Sequence, residues 1–189
     1  MANARRIPGE AGFWVLIGGE LLAFSIFYLI FAYYRGLDPD VFEQSRATLN
    51  RAIGLANTLV LLTSSLFVAM GVRRVREEQA GGRRLFFAAL LCGALFAALK
   101  ALEYSEKVSG GITPLTNEFY TYYFAFTGIH LVHVVIGSAV LLLMANMSRR
   151  LPSPTRTMIV ECGATFWHLV DLLWIVLFAL FYLAGGGNG

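Results

Sequence analysis

The sequence predicts an all-α, polytopic membrane protein: a bundle of five transmembrane helices. Three observations carry this reading. Apolar runs of ~20 residues or more recur along the chain, and at 1.5 Å per residue that length crosses the ~30 Å hydrocarbon core. Apolar residues make up 57% of the chain and charged ones only 14%, against about 25% charged in soluble domains. The runs mostly lack the two-residue alternation of a lipid-facing barrel strand, which leaves the helix as the spanning element. A length of 189 residues fits one membrane domain.

The first span is expected from about Ala11 to Tyr34, after Pro8-Gly9-Glu10, where a proline suits a helix start. It is too long for a signal-peptide core and is expected to act as its own insertion signal. A polar connector from Arg35 to Arg51 follows, with Asp38-Pro39-Asp40 as a turn or helix cap. The second span, about Ile53 to Val72, carries a stripe of Asn57, Thr58, Thr63, Ser64 and Ser65. Such residues let membrane helices approach closely and bond across the contact. The third span, about Leu85 to Tyr104, ends in Lys100, Glu103 and, just beyond, Lys107. These read as an interfacial charge cluster whose lysines snorkel outward. The fourth, about Phe119 to Asn146, opens with Phe119, Tyr120, Tyr122, Tyr123 and Phe124, an expected membrane-interface belt. The fifth runs from about Met158 to Ala184, before a loose tail, Gly185 to Gly189.

Basic residues set the expected orientation. Arg5, Arg6, Arg73, Arg74, Arg76, Arg83, Arg84, Arg149, Arg150 and Arg156, ten in all, share one side. Arg35, Arg46, Arg51, Lys100 and Lys107, five in all, share the other. The positive-inside rule then places the N-terminus in the cytoplasm and the C-terminus in the periplasm. The net charge of +3 reads as loop arginines for orientation, with no nucleic-acid surface. Cys92 and Cys162 lie inside apolar spans without ligand spacing and read as small buried residues.

The residues that need explaining are polar ones at membrane depth. Glu20 lies near the middle of the first span, and His130 and His133 lie at similar depth in the fourth. The fifth holds Glu161, His168 and Asp171 within Phe166-Trp167-His168-Leu169-Val170-Asp171-Leu172-Leu173-Trp174. One charged side chain at mid-helix costs ~2.5–3.5 kcal/mol on insertion scales. Each carboxyl must therefore be paired, protonated or in contact with water or a partner. His168, one turn from Asp171 on the same face, is the nearest candidate partner. Trp167, Asp171 and Trp174 share a stripe that marks the packed side of the helix.

Three readings of these groups compete. They could be polar fastenings between helices. Two histidines on different helices, His130 or His133 with His168, could ligate a haem axially, as in a small electron carrier. Glu20, Glu161 and Asp171 could move protons, as in an independent proton-coupled transporter. No nucleophile with its base, phosphate-binding loop or paired Glu-x-x-His motif is present. The residues therefore favour an interaction subunit over an enzyme.

Five blocks in order resemble subunit III of the haem–copper oxidases. They are Gly12-Phe13-Trp14 with Glu20 and Phe24; Leu55-Ala56-Asn57-Thr58 with Ser64-Ser65; Lys100 with Glu103-Tyr104; Phe126-Thr127-Gly128-Ile129-His130-Leu131-Val132-His133-Val134-Val135-Ile136-Gly137; and Glu161 with Phe166 to Trp174. The resemblance implies a subunit without cofactor, metal or active site, packed against a haem-containing catalytic membrane subunit in a bacterial cytoplasmic (inner) membrane. It implies support of assembly, stability and proton uptake, with Glu20 the candidate for the proton role, and contact with membrane lipids. Long members have seven helices with a lipid-filled cleft between the first two and the other five. This chain has five, so such a cleft would need helices from a partner. Thr116-Asn117-Glu118-Phe119, Phe126-Thr127-Gly128 and the first helix ending at Arg35 resemble the branch associated with nitric oxide reductase.

Overall fold

The computed structural model describes residues 11–148 and 153–183, which form helices and short connections with no strand among them. The helices are α1 (Ala11–Leu37), α2 (Pro39–Ala47), α3 (Arg51–Arg76), α4 (Gly82–Ser109), α5 (Glu118–Met147) and α6 (Pro154–Phe178). One π-helical turn, Ala179–Leu183, continues α6. Five helices are long and apolar enough to span a bilayer, and α2 is the exception. The chain is a multi-pass membrane protein. The Pro8-Gly9-Glu10 start, Arg5, Arg6, Arg149, Arg150, Ala184 and the Gly185 to Gly189 tail lie outside the described residues.

The spans sit where the apolar runs place them but extend further at most ends. A helix keeps its backbone bonds satisfied as it leaves the hydrocarbon, so polar end residues do not stop it until a cap does. Asn50 caps α3, accepting from Ala52 N at 3.0 Å and Ile53 N at 3.3 Å. Asn117 caps α5 by accepting from Tyr120 N at 3.1 Å. The polar connector is itself a helix. Asp38 caps α2, its carboxylate accepting from Val41 N at 3.4 Å, with Pro39 in the first turn.

Helices α3, α4, α5 and α6 form a closed ring, each packed on the next and α6 back on α3. Helix α1 leans on this ring from outside, against α5 and α6. It buries only Ile17, Phe24 and Phe31, while Val15, Leu22, Leu29 and Tyr33 face outward. Phe119, Tyr120 and Tyr123, expected in an interface belt, are instead almost wholly buried. Their end of α5 is enclosed: the Phe181 ring lies 5.8 Å from Phe119 and 5.0 Å from Phe31.

Trp167 and Trp174 point into the ring as their stripe predicts, both almost fully buried. Two glycines make room for Trp167. A Cβ on Gly137 would stand 2.7 Å from its Cε3, and one on Gly93 would stand 3.0 Å from its Cη2. With no hydrophobic drive between helices in lipid, such close approach supplies the packing. Gly137→Leu is therefore expected to lose about 1–3 kcal/mol through overpacking. Thermal unfolding of the purified chain in detergent should show it, with Gly128→Leu, which enters open space, as the near-neutral control.

Candidate functional site

The most enclosed polar group is the one expected at the membrane interface. Lys100 and Glu103 of α4 are 0% and 1% exposed, and Lys107 is buried too. The lysines do not snorkel, which corrects the expectation of an interfacial cluster. Lys100 Nζ donates to Glu103 Oε2 at 2.9 Å and to Tyr123 Oη at 2.9 Å. Tyr182 Oη donates to the other carboxylate oxygen, Glu103 Oε1, at 2.7 Å. The ammonium also lies 4.7 Å from the Tyr123 ring centre and about as close to the Tyr104 and Trp174 rings. Each ring face adds cation–π attraction in a desolvated site. Lys107 Nζ donates to Thr48 O at 2.5 Å, holding the end of α2 to α4.

This cluster joins α4, α5 and the π-turn after α6. The turn matters because π-helical geometry resets the face that follows it, here leaving Phe181 and Tyr182 buried. Arg46 of α2 reaches the same place, donating to Tyr182 O at 3.5 Å. It also bonds both carboxylate oxygens of Glu43. That hydrogen bond, aided by the surrounding arginine charge, holds the Glu43 carboxyl below its usual range.

The three histidines do not converge. His133 lies between α1 and α5, with Nε2 3.1 Å from Glu20 Oε2 and Nδ1 2.8 Å from Ile129 O. A carbonyl only accepts, so Nδ1 carries the hydrogen that points at Ile129. A hydrogen bond between Nε2 and Glu20 then requires one further proton, on the imidazole or on the carboxyl. Glu20 and His133 are thus a hydrogen-bonded pair, partly buried on the flank where α1 meets the ring. His130 points the other way, fully buried against Trp174 and Phe96 at ring distances of 5.3 and 5.6 Å. Neither of its ring nitrogens has a hydrogen-bond partner among the described residues.

His168 does not pair with Asp171. Its Nδ1 lies 2.5 Å from Ser65 Oγ on α3, a contact that ties α6 to α3, while Asp171 is buried with its Oδ1 lacking a hydrogen-bond partner among the described residues. The correction has a simple cause: the better partner comes from another helix. Trp174 makes a similar crossing, with Nε1 donating to Thr58 Oγ1 at 3.1 Å. Ser64 donates to Ala89 O at 2.9 Å, so the hydroxyl stripe of α3 faces both neighbours. Glu161 accepts from Arg76 Nε at 2.6 Å, a pair that links α6 to the end of α3.

Tyr123, Tyr182, Ser65 and Thr58 were not singled out as site residues by the sequence. The available signal was a lysine and a glutamate inside an apolar span, which require donors and acceptors from elsewhere. Tyrosine in a span reads equally as an interface residue, so that signal does not select these partners.

A ring of four helices fastened by internal polar contacts, with a fifth on its flank, defines a multi-pass helical membrane protein. The family model described as cytochrome c oxidase subunit III matches residues 10–186, and the chain belongs to that family. Similar proteins include cytochrome c oxidase subunit 3 of Corynebacterium diphtheriae, 29% identical over 177 residues, which span 92% of this chain and 86% of that protein. Cytochrome c oxidase subunit 3 of Synechocystis is 29% identical over 196 residues, covering 96% of this chain and 83% of that protein. Quinol oxidase subunit 3 of Bacillus subtilis is 27% identical over 185 residues, covering 94% and 87% respectively.

Removing one member of a buried charge pair costs about 3–5 kcal/mol, whereas replacing both by apolar groups is often near neutral. Lys100→Met is accordingly expected to lower the unfolding temperature of the purified chain strongly. Lys100→Met combined with Glu103→Leu should recover much of that loss.

Proposed function

We infer that the chain is a non-catalytic accessory subunit of a respiratory haem–copper complex, seated beside a haem-containing catalytic subunit in a bacterial cytoplasmic membrane. Membership of the cytochrome c oxidase subunit III family across residues 10–186 carries this reading. Relatives named as cytochrome c oxidase and quinol oxidase subunits support a terminal oxidase as the complex. The loop residues Thr116 to Phe119 and the first helix ending near Arg35 favour the nitric oxide reductase branch instead. Oxygen or nitric oxide consumption by the purified complex separates the two.

Within this reading His130, His168, Asp171, Glu161, Trp167 and Trp174 serve as fastenings and packing groups, and Lys100, Glu103 and Lys107 act with them. Glu20 serves proton uptake. Its partner His133 and its place on the flank of α1 support that role. The N-terminus lies in the cytoplasm. Arg46, Lys100 and Lys107, counted against that orientation, are occupied by contacts inside the chain. That leaves the arginine-rich end, with Arg73, Arg74, Arg76, Arg83 and Arg84, as the better candidate for the inner face.

Gentle purification of the tagged chain at native expression is expected to recover a haem-containing subunit with it. Recovery as a stable lone protein contradicts the reading. A Soret band from the isolated chain supports a haem carrier using His133 and His168, and ion flux in liposomes containing only this chain supports a transporter. Glu20→Gln should assemble normally and slow proton uptake during turnover. Unchanged uptake kinetics would make Glu20 structural.

A further inference from the structure

The interior of the ring holds more polar atoms than its direct contacts satisfy. Asn57 of α3 and His130 of α5 are both 0% exposed, and Asp171 of α6 is 5% exposed. Both amide atoms of Asn57, both ring nitrogens of His130, Oδ1 of Asp171 and Nε1 of Trp167 lack a hydrogen-bond partner among the described residues. Buried polar atoms are nearly always bonded, because one left alone bears its full cost of leaving water. Six such atoms on four side chains of one bundle interior therefore need a partner.

The four side chains gather about Trp174. The Trp174 ring lies 5.3 Å from that of His130, and its Nε1 donates to Thr58, the neighbour of Asn57 in α3. Asn57 shares the inward face of α3 with Gly54, which lies against the Tyr182 ring, and with Ser64, which donates to Ala89 O. Asp171 and Trp167 follow one and two turns back from Trp174 along the buried face of α6. Each group thus enters the same interior from its own helix: α3, α5 or α6.

The kinds of atom select the ligand. Trp167 Nε1 and Asn57 Nδ2 only donate, Asn57 Oδ1 and an ionised Asp171 only accept, and a neutral imidazole offers one donor and one acceptor. A cation would leave the donors unmet, and no group of three metal-ligating side chains occurs among the described residues. An anion would leave the acceptors unmet. Water both donates and accepts, and a buried water typically makes about three hydrogen bonds to groups of this sort. We propose that the ring encloses bound water beside Trp174, hydrogen-bonded by Asn57, His130, Trp167 and Asp171. The water adds links among α3, α5 and α6 to the direct contacts of Ser65 and Thr58. It also gives the Asp171 carboxyl a partner that no neighbouring helix supplies to its Oδ1.

X-ray hydroxyl-radical footprinting of the full chain in detergent, read by mass spectrometry, tests the assignment. Radicals formed from a bound water oxidise the side chains beside it even where these are buried. Two phenylalanines of equal burial make the comparison. Phe96 lies 4.7 Å from the Trp174 ring and 5.6 Å from that of His130. Phe31 lies among the rings of Phe42, Phe119 and Phe181. Phe96 should be oxidised severalfold faster than Phe31, and His130→Phe should lower the Phe96 rate severalfold while leaving Phe31 unchanged. If His130→Phe fails to fold, judged by its elution on size exclusion, Asn57→Leu is read in its place. Equal rates at Phe96 and Phe31 in the unaltered chain overturn the site. An unchanged Phe96 rate in a folded His130→Phe or Asn57→Leu chain overturns it too.

Discussion

The bundle depends on how it houses a charge that lipid rejects. Lys100 sits in α4 with no solvent around it, and the chain surrounds its ammonium with one carboxylate, tyrosine hydroxyls and three aromatic faces. Those partners come from α4, α5, α6 and the π-turn that follows it, so the pair forms only when these elements meet in register. Between helices in lipid the hydrophobic effect gives little direction. A buried ion pair contributes little net stability but is costly to break, which makes it selective for one arrangement.

The same logic repeats along the ring. Ser65 holds His168 to α3, Thr58 holds Trp174 to the same helix, and Arg76 meets Glu161 towards the other end. Between these contacts, glycines let Trp167 lie against two helices at once. Glu20 and His133 stand apart from this pattern. They sit on the flank between α1 and the ring, only partly buried, and bond to each other across the α1–α5 contact.

The spans were legible because each apolar run is long enough to admit only a transmembrane helix. The packed face of α6 was legible too, since Trp167, Asp171 and Trp174 recur at helical spacing. The sequence could not say which partner each polar group takes. Lys100 and Glu103 lie near a helix end, where an ion pair three residues apart fits an exposed surface as well as a buried one. What decides is Tyr182, 79 residues from Glu103, brought inward by a π-turn that no composition signals. His168 and Asp171 likewise appear to local spacing as a pair, and only the approach of α3 gives His168 its partner, Ser65. The α1 flank was partly legible: Glu20 stood out by depth, while its bond to His133 needed the helices in place.

Membership of the subunit III family and this internal use of polar groups lead to one account. On the proposed reading, the residues at membrane depth in α6 serve assembly and the chemistry belongs to a partner. Asp171→Leu separates those two roles, because it removes the carboxylate while keeping an apolar side chain of similar reach. The measurement is turnover per haem in the purified complex, set against the amount of complex recovered. The account predicts reduced recovery with normal turnover per haem. Full recovery with lost turnover would contradict it by placing Asp171 in the chemistry, and full recovery with normal turnover would show that the buried Asp171 carboxyl fastens nothing.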